Sequence, residues 1–541
     1  MRTRMPPAGH APWHYGIREH VHHLPEGQTG MSFDNEGQQS VYSRYGVEDE
    51  ALSSRGSRKW VGAAVAVAVV AALSLGGMTL LKVLGSGGAQ PEDVFPNSAI
   101  VFAKLDLNPS AGQKLAAFQF ASRFPKVRDK VTSEDTSIKE SIFGSIFTGS
   151  KSWGLDYKLD VQPWLGDRIG VGVFPAMDGD NKPETAIAIA FTDENAAKAA
   201  LDKAIAHANS KVQMVGYAFA DGYVVVSDTA AHAQALVTEG KVSPLALPAW
   251  STYGDDVRSL GSDQVGVVWV DVAASYKAIL QGQLMNGPLG QLKGTSDPKN
   301  ATGRFVMGLH VDPSYLELTG KGIDLRGASA LTTAGAANQA GLMASFPSDV
   351  FGAASATVLG HAGDRLFAGL IANGDPIGVK PMLSRLGIDS GKQVDALLGN
   401  EIGVVVGGTI DHPEYAVRTR GSDPDTALAV ARKAVTAAQI PGLTVQKITD
   451  PDGILAGVGS GLTAAIVNGS GSKLGDNEAF RQVVPDLGAA NFAAYVNLAK
   501  LVPLLAKDSP KDAESLKPFS ALGLTAAGGA EPSFRLRLSV R

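Results

Sequence analysis

The sequence predicts an α+β protein: two tandem copies of a mixed unit with mainly antiparallel sheets and amphipathic helices, preceded by one transmembrane helix and a disordered tail. Three observations predict it. Residues Trp60–Leu81 form an uncharged run of 22 residues. Apolar and polar residues then alternate with period two in several segments, the mark of half-buried strands. Finally, short segments recur in the same order in two halves of residues 95–541, which reads as duplication of one folded unit.

Composition sets the outer limits. The chain has 541 residues, 44% hydrophobic and 19% charged, with 63 glycines and no cysteine. That apolar content supports at least two cores and excludes global disorder. Without cysteine there is no disulfide scaffold, thiolate zinc site, iron–sulfur cluster or cysteine nucleophile. A formal net charge of −5 argues against nucleic acid as a partner, because phosphate backbones need basic patches.

Residues 1–59 carry 7 Lys/Arg and 7 Asp/Glu and show no apolar period. Such a segment buries too little surface to offset its ordering entropy, and it reads as a disordered cytoplasmic tail. It holds His10, His14, His20, His22 and His23. The His20–His23 cluster offers metal-ligand nitrogens, but a solvated tail lacks the surrounding groups that fix ligand geometry. Tyr42 and Tyr45, beside Arg44 and the acidic run Glu48-Asp49-Glu50, form a candidate docking or phosphorylation patch.

The run WVGAAVAVAVVAALSLGGMTLL, residues 60–81, is long enough to cross a hydrocarbon core of about 30 Å at about 1.5 Å per residue. Lipid offers backbone amides no partners, so the run is expected to be helical. A cleavable signal would have a shorter apolar region near the N-terminus. Arg55, Arg58 and Lys59 precede the run and only Lys82 follows closely, which places the N-terminus in the cytoplasm and residues 83–541 outside it. The membrane is therefore the first expected partner, and residues 82–94 are a linker.

The remainder reads as a first α+β repeat, residues 95–330, and a second, residues 331–541. Phe95-Pro96-Asn97-Ser98 matches Phe346-Pro347-Ser348-Asp349, and Leu165–Val171 (LGDRIGV) matches Leu398–Val404 (LGNEIGV). The helical run from Asp193 matches that from Asp423. Asp221-Gly222 matches Asp452-Gly453, and both read as hairpin turns. Val268–Asp271 matches Ala494–Asn497, and Asp312–Tyr315 matches Glu531–Phe534. In the last strand Phe534, Leu536, Leu538 and Val540 interleave with Arg535, Arg537, Ser539 and Arg541, which predicts a sheet with one wet face.

No chemical motif stands out. There is no G-x-S-x-G elbow, H-E-x-x-H helix or phosphate-binding G-x-x-x-x-G-K-[ST] loop. Gly457–Gly461 lacks the final glycine of a dinucleotide loop, since Ala464 stands there, and reads as a loop into a helix. Asp178-Gly179-Asp180-Asn181 lacks the glycine and glutamate of a calcium loop, with Pro183 and Ile189 in their places. His361, Asp364 and Arg365 form the densest polar group of the second copy, yet Ser110, Gln113 and Lys114 stand there in the first, so a solvated helix start is expected. His310 and Trp269 read as structural, with Asp271 on the same strand face as Trp269. No catalytic, cofactor-binding or metal residue is expected, and no cofactor.

The strand AIVFAKLDLNP, the helix SAGQKLAAFQFASRFP, the segment Leu105–Pro109 and the Phe124-Pro125 pair resemble the uncharacterised domain-of-unknown-function 3352 family of actinobacterial single-pass membrane proteins. The resemblance covers residues 91–541 and implies topology, with no activity or catalytic residue. Together these readings lead to a membrane-anchored extracytoplasmic protein, a non-enzymatic binding or scaffolding component of the cell envelope with an envelope protein or lipid as partner. The alternatives are a hydrophobic-ligand (lipid) binding protein and a cell-envelope hydrolase acting through His361 and Asp364.

Overall fold

The computed structural model describes residues 88–124, 154–177, 183–207, 216–247, 252–261, 263–280, 302–326, 341–358, 360–372, 375, 378–409, 411–421, 423–449, 452–508, 513–514, 516–529 and 531–541. The tail, the run Trp60–Leu81 and the Asp178–Asn181 loop lie outside the described residues.

The first half contains β1 (Val101–Asp106), α1 (Ala111–Ala121), β2 (Leu165–Phe174), β3 (Glu184–Phe191), α2 (Glu194–His207), β4 (Gly216–Ala220), β5 (Tyr223–Ser227) and α3 (Ala230–Val242). It continues through α4 (Tyr253–Arg258), β6 (Gly266–Asp271), α5 (Val272–Leu280), β7 (Thr302–Val311) and β8 (Tyr315–Arg326). The second half contains β9 (Gly352–Thr357), α6 (Ala362–Ala372), α7 (Val379–Arg385), α8 (Gly391–Leu398), β10 (Glu401–Gly408), β11 (Pro413–Arg420) and α9 (Pro424–Ala438). It ends with β12 (Leu443–Thr449), β13 (Asp452–Val458), α10 (Ser460–Asn468), α11 (Glu478–Val483), β14 (Phe492–Val496), α12 (Leu498–Asp508), β15 (Phe519–Ala527) and β16 (Ser533–Val540).

The expected fold class needs correction. In place of two α+β units with their own sheets, all 16 strands form one antiparallel sheet, ordered β12-β13-β11-β10-β9-β14-β15-β16-β8-β7-β6-β1-β2-β3-β5-β4. Each run of eight has the same internal order, and the runs meet where β16 pairs with β8, Leu536 opposite Leu318. The physical reason lies in the edges. β8 and β16 each end their eight-strand run, and a long unpaired edge strand exposes a row of backbone donors and acceptors that pairing satisfies. The expected transmembrane helix is not part of this described fold either: no described helix is long and apolar enough to cross a membrane.

Local chemistry accounts for most elements. Asp193 and Asp423 accept from Ala196 N and Thr426 N at 3.0 Å, capping α2 and α9 as the helical runs predict. Asp221 and Gly222 have positive φ of 47° and 82° and turn β4 into β5. At the matching Asp452-Gly453 β12 and β13 do form a hairpin, but the dipeptide opens β13 and does not make the turn, with Thr449 paired to Asp452 at the end of the ladder. There a Cβ on Gly453 would meet Thr419 O at 1.8 Å, so this glycine serves close strand approach.

Neither side of β16 is simply wet. On the charged side Arg537 Nε donates to Glu317 at 2.6 Å, Arg535 Nε lies 3.2 Å from the same carboxylate, and Arg537 stacks over the Tyr315 ring at 4.1 Å. On the apolar side Phe534, Leu536 and Leu538 are partly buried and Val540 is buried.

Candidate ligand-binding face

Strand register places every second residue of nine adjacent strands on one side of the sheet. Across β13, β11, β10, β9, β14, β15, β16, β8 and β7 one row reads Ala456, Val417, Val404, Ala354, Ala494, Leu524, Leu536, Leu318, Leu309. The next reads Val458, Tyr415, Val406, Gly352, Val496, Leu522, Leu538, Leu316, Val311. Neither row contains a charged side chain. Eight strand gaps of about 4.8 Å make each row roughly 38 Å wide.

The opposite side of the same strands is a packed core: Met343, Phe346, Val350, Val405, Leu455, Leu462, Phe480 and Tyr495 are buried there. Burial pushes the Tyr495 hydroxyl up to about 12. The apolar rows differ. Val404 is 43% exposed, Tyr415 50% and Phe492 38%, and their neighbours on β9, β14 and β15 are half-buried. The described helices on this side pack on the flanks, α9 on β12 and β13, and α12 and α1 on β15 and β7.

The first half covers its equivalent face. Val171, which matches Val404, is 7% exposed, and Ile169 on the same side of β2 lies in a buried cluster with Tyr157, Val161, Trp164, Leu201 of α2 and Val224. Helix α1 also docks on the sheet: Gln113 Nε2 donates to Val311 O at 3.0 Å and Gln113 Oε1 accepts from Val311 N at 3.1 Å. Helix α6 matches α1 in length and position, but Asp364 replaces Gln113, and a carboxylate has no proton to donate to a carbonyl. It packs on α8, with Gly363 N donating to Asp395 at 2.6 Å and Phe367 against Ile388, Val394 and Val430.

The sequence profile described as Protein of unknown function (DUF3352) matches residues 60–376, more than half of the chain. The chain belongs to the DUF3352 family. No curated protein matches it. A solved structure, crystal form I of TP0453, is similar at 12% identity over 45% of this chain and 81% of its own, with a TM-score of 0.21.

Polar clusters of this DUF3352 chain lie elsewhere. His361 has a positive φ of 61°, is 83% exposed on its side chain, and places Nδ1 3.5 Å from Asp364, with Asp395 near. The predicted polar group is thus a helix start exposed to solvent. His310 Nδ1 bonds Asp263 O at 2.8 Å, Trp269 is buried and donates to Asp256 at 2.8 Å, and Asp271 caps α5 through Ala274 N at 2.9 Å. In the Gly457–Gly461 loop Gly461 N and Leu462 N both donate to Glu414, so a carboxylate already fills the anion position of α10.

A second cluster escaped the sequence reading. Glu184, Asp228 and His232 converge at the start of α3, with His232 Nδ1 2.6 Å from Asp228 and 3.0 Å from Glu184, which also accepts from Ser227. Burial pushes the Glu184 carboxyl above its ordinary range. A borderline divalent cation suits one nitrogen and two carboxylates, and so does a protonated imidazole. Its signal in the sequence is weak: only Asp228 and His232, four apart across the start of a helix, are near each other.

Proposed function

We propose that this chain is a non-enzymatic binding component of the cell envelope, held at the membrane by Trp60–Leu81, with the open apolar face of β9–β11 and β13–β16 as its binding surface. One observation carries the reading: the uncharged face from β13 to β16, seven strands wide, is half-exposed, while the opposite face of the same strands packs a core. Monomeric proteins seldom leave contiguous apolar patches of that extent open unless something binds there.

The test is a photo-crosslinking amino acid installed at Val404 of the full-length chain in intact cells, with Leu366 on α6 as an exposed control. An adduct at position 404 that is absent at 366 is expected. No adduct at 404, or at Phe492 on β14, would overturn the binding reading. Protease added to those cells tests placement: digestion of residues 83–541 is expected, and a protected C-terminal region would remove the envelope assignment.

A further inference from the structure

The open face is not flat. Aligning β1 with β9 sets Val101, Ala103 and Leu105 of the first half against Gly352, Ala354 and Ala356 of the second. Ala494 of β14 lies beside Ala354. Larger residues stand on both sides, Ile402, Val404 and Val406 on β10 and Phe492 and Val496 on β14, with Ala494 a gap between the last two that leads to Leu524 on β15. Gly352, Ala354 and Ala356 between these larger side chains make a trough one strand wide that runs along β9 and opens sideways at Ala494. β9 has six residues, so at about 3.3 Å each the floor extends roughly 20 Å.

We propose that this trough binds one acyl chain of a membrane lipid, laid parallel to β9 and β14. The proposal rests on the binding reading above and names its occupant. Three features select an acyl chain. The trough matches such a chain in length, because half of a hydrocarbon core of about 30 Å is roughly 15 Å. Its floor and walls carry no side-chain donor or acceptor, whereas protein interfaces are on the order of 40% polar and need partners for those groups. The chain's own sequence keeps the fold near lipid, since only residues 82–87 separate Leu81 from Gly88 and span at most about 21 Å. A narrow floor of Gly and Ala also suits a single polymethylene chain better than a helix, which is about 10 Å across.

The experiment uses the full-length chain reconstituted in vesicles of dioleoylphosphatidylglycerol and dioleoylphosphatidylethanolamine, doped with a phospholipid carrying a diazirine in its acyl chain. After irradiation, label is expected on the peptides holding residues 352–356 and 492–496. Filling the trough with Ala354→Leu and Ala494→Leu should reduce that label at least tenfold, while Ala354→Gly, which leaves it open, should keep it. Label confined to residues 60–81, or label on β9 and β14 that survives filling, would overturn the proposal. A protein or chain-to-chain adduct at Val404 in cells, with no trough labelling in vesicles, would also overturn it and leave the broader binding reading standing.

Discussion

Val171 and Val404 occupy matching positions on the second strand of each half, in segments that differ at only two of seven residues, yet the first is buried and the second is open. The strands are alike; their coverings differ. In the first half Trp164, wholly buried, donates its indole N–H to Asp160 O at 2.7 Å and plugs the space between α2 and the sheet. The second half has Leu397 at that position, partly buried among α8 and α9. Gln113 anchors α1 on the sheet, and Asp364 leaves α6 on α8. Matching strands thus carry one closed face and one open face, and the difference resides in a few helix and loop residues.

The largest test of that contrast is a charge at the matched pair. Val171→Asp buries an unpaired carboxylate and is expected to cost at least about 4 kcal/mol. Val404→Asp should stay within about 0.5 kcal/mol, as surface changes do. Denaturant unfolding of both variants decides it, and equal costs would break the comparison. Next in size, Trp164→Ala should cost about 3–5 kcal/mol through the cavity it leaves, against about 1 kcal/mol for Leu397→Ala, read from the same unfolding midpoints.

A third test addresses where the halves join. Glu317→Gln leaves Arg535 and Arg537 facing each other on the charged side of β16, and a cost of about 2 kcal/mol is expected, discounted from the figure for deep burial because Arg535 reaches solvent. Guanidinium denaturation monitored by tryptophan fluorescence would show no change if this contact were only a surface pair. The smallest effect concerns Glu401, whose carboxyl burial raises above its ordinary value of 4.5, opposed by the Leu342 N–H and Arg420. A raised folded-state value means that its stabilising contribution is complete below the unfolded value and is lost as pH rises through the folded one. Glu401→Gln should therefore flatten the fall in melting temperature above about pH 4.5. Arg168→Gln, at the matching position in the first half, should leave that slope intact, since guanidinium does not titrate there.

Much of the local structure was legible. Period-two runs became strands, Asp193 and Asp423 became caps, and Asp221-Gly222 became a hairpin turn, because each depends on neighbours within a few residues. The same dipeptide at 452–453 misled, since its backbone role is set by Thr419 on another strand. The assignment of a wet face misled for the same reason. Arg535 and Arg537 look solvent-facing until Glu317, 220 residues before Arg537 in the chain, is brought beside them. The Glu184–Asp228–His232 cluster was invisible because its buried member is supplied by β3.

The sequence by itself determined the alternation that makes strands, the residues that cap helices and the order in which segments recur, since these follow from side-chain period and short-range hydrogen bonding. It also determined family membership. Only the tertiary structure decided that β8 and β16 join sixteen strands into one sheet, and that the apolar side of the second half stays open. Edge pairing and helix docking join groups hundreds of residues apart, and their outcome depends on which surfaces meet.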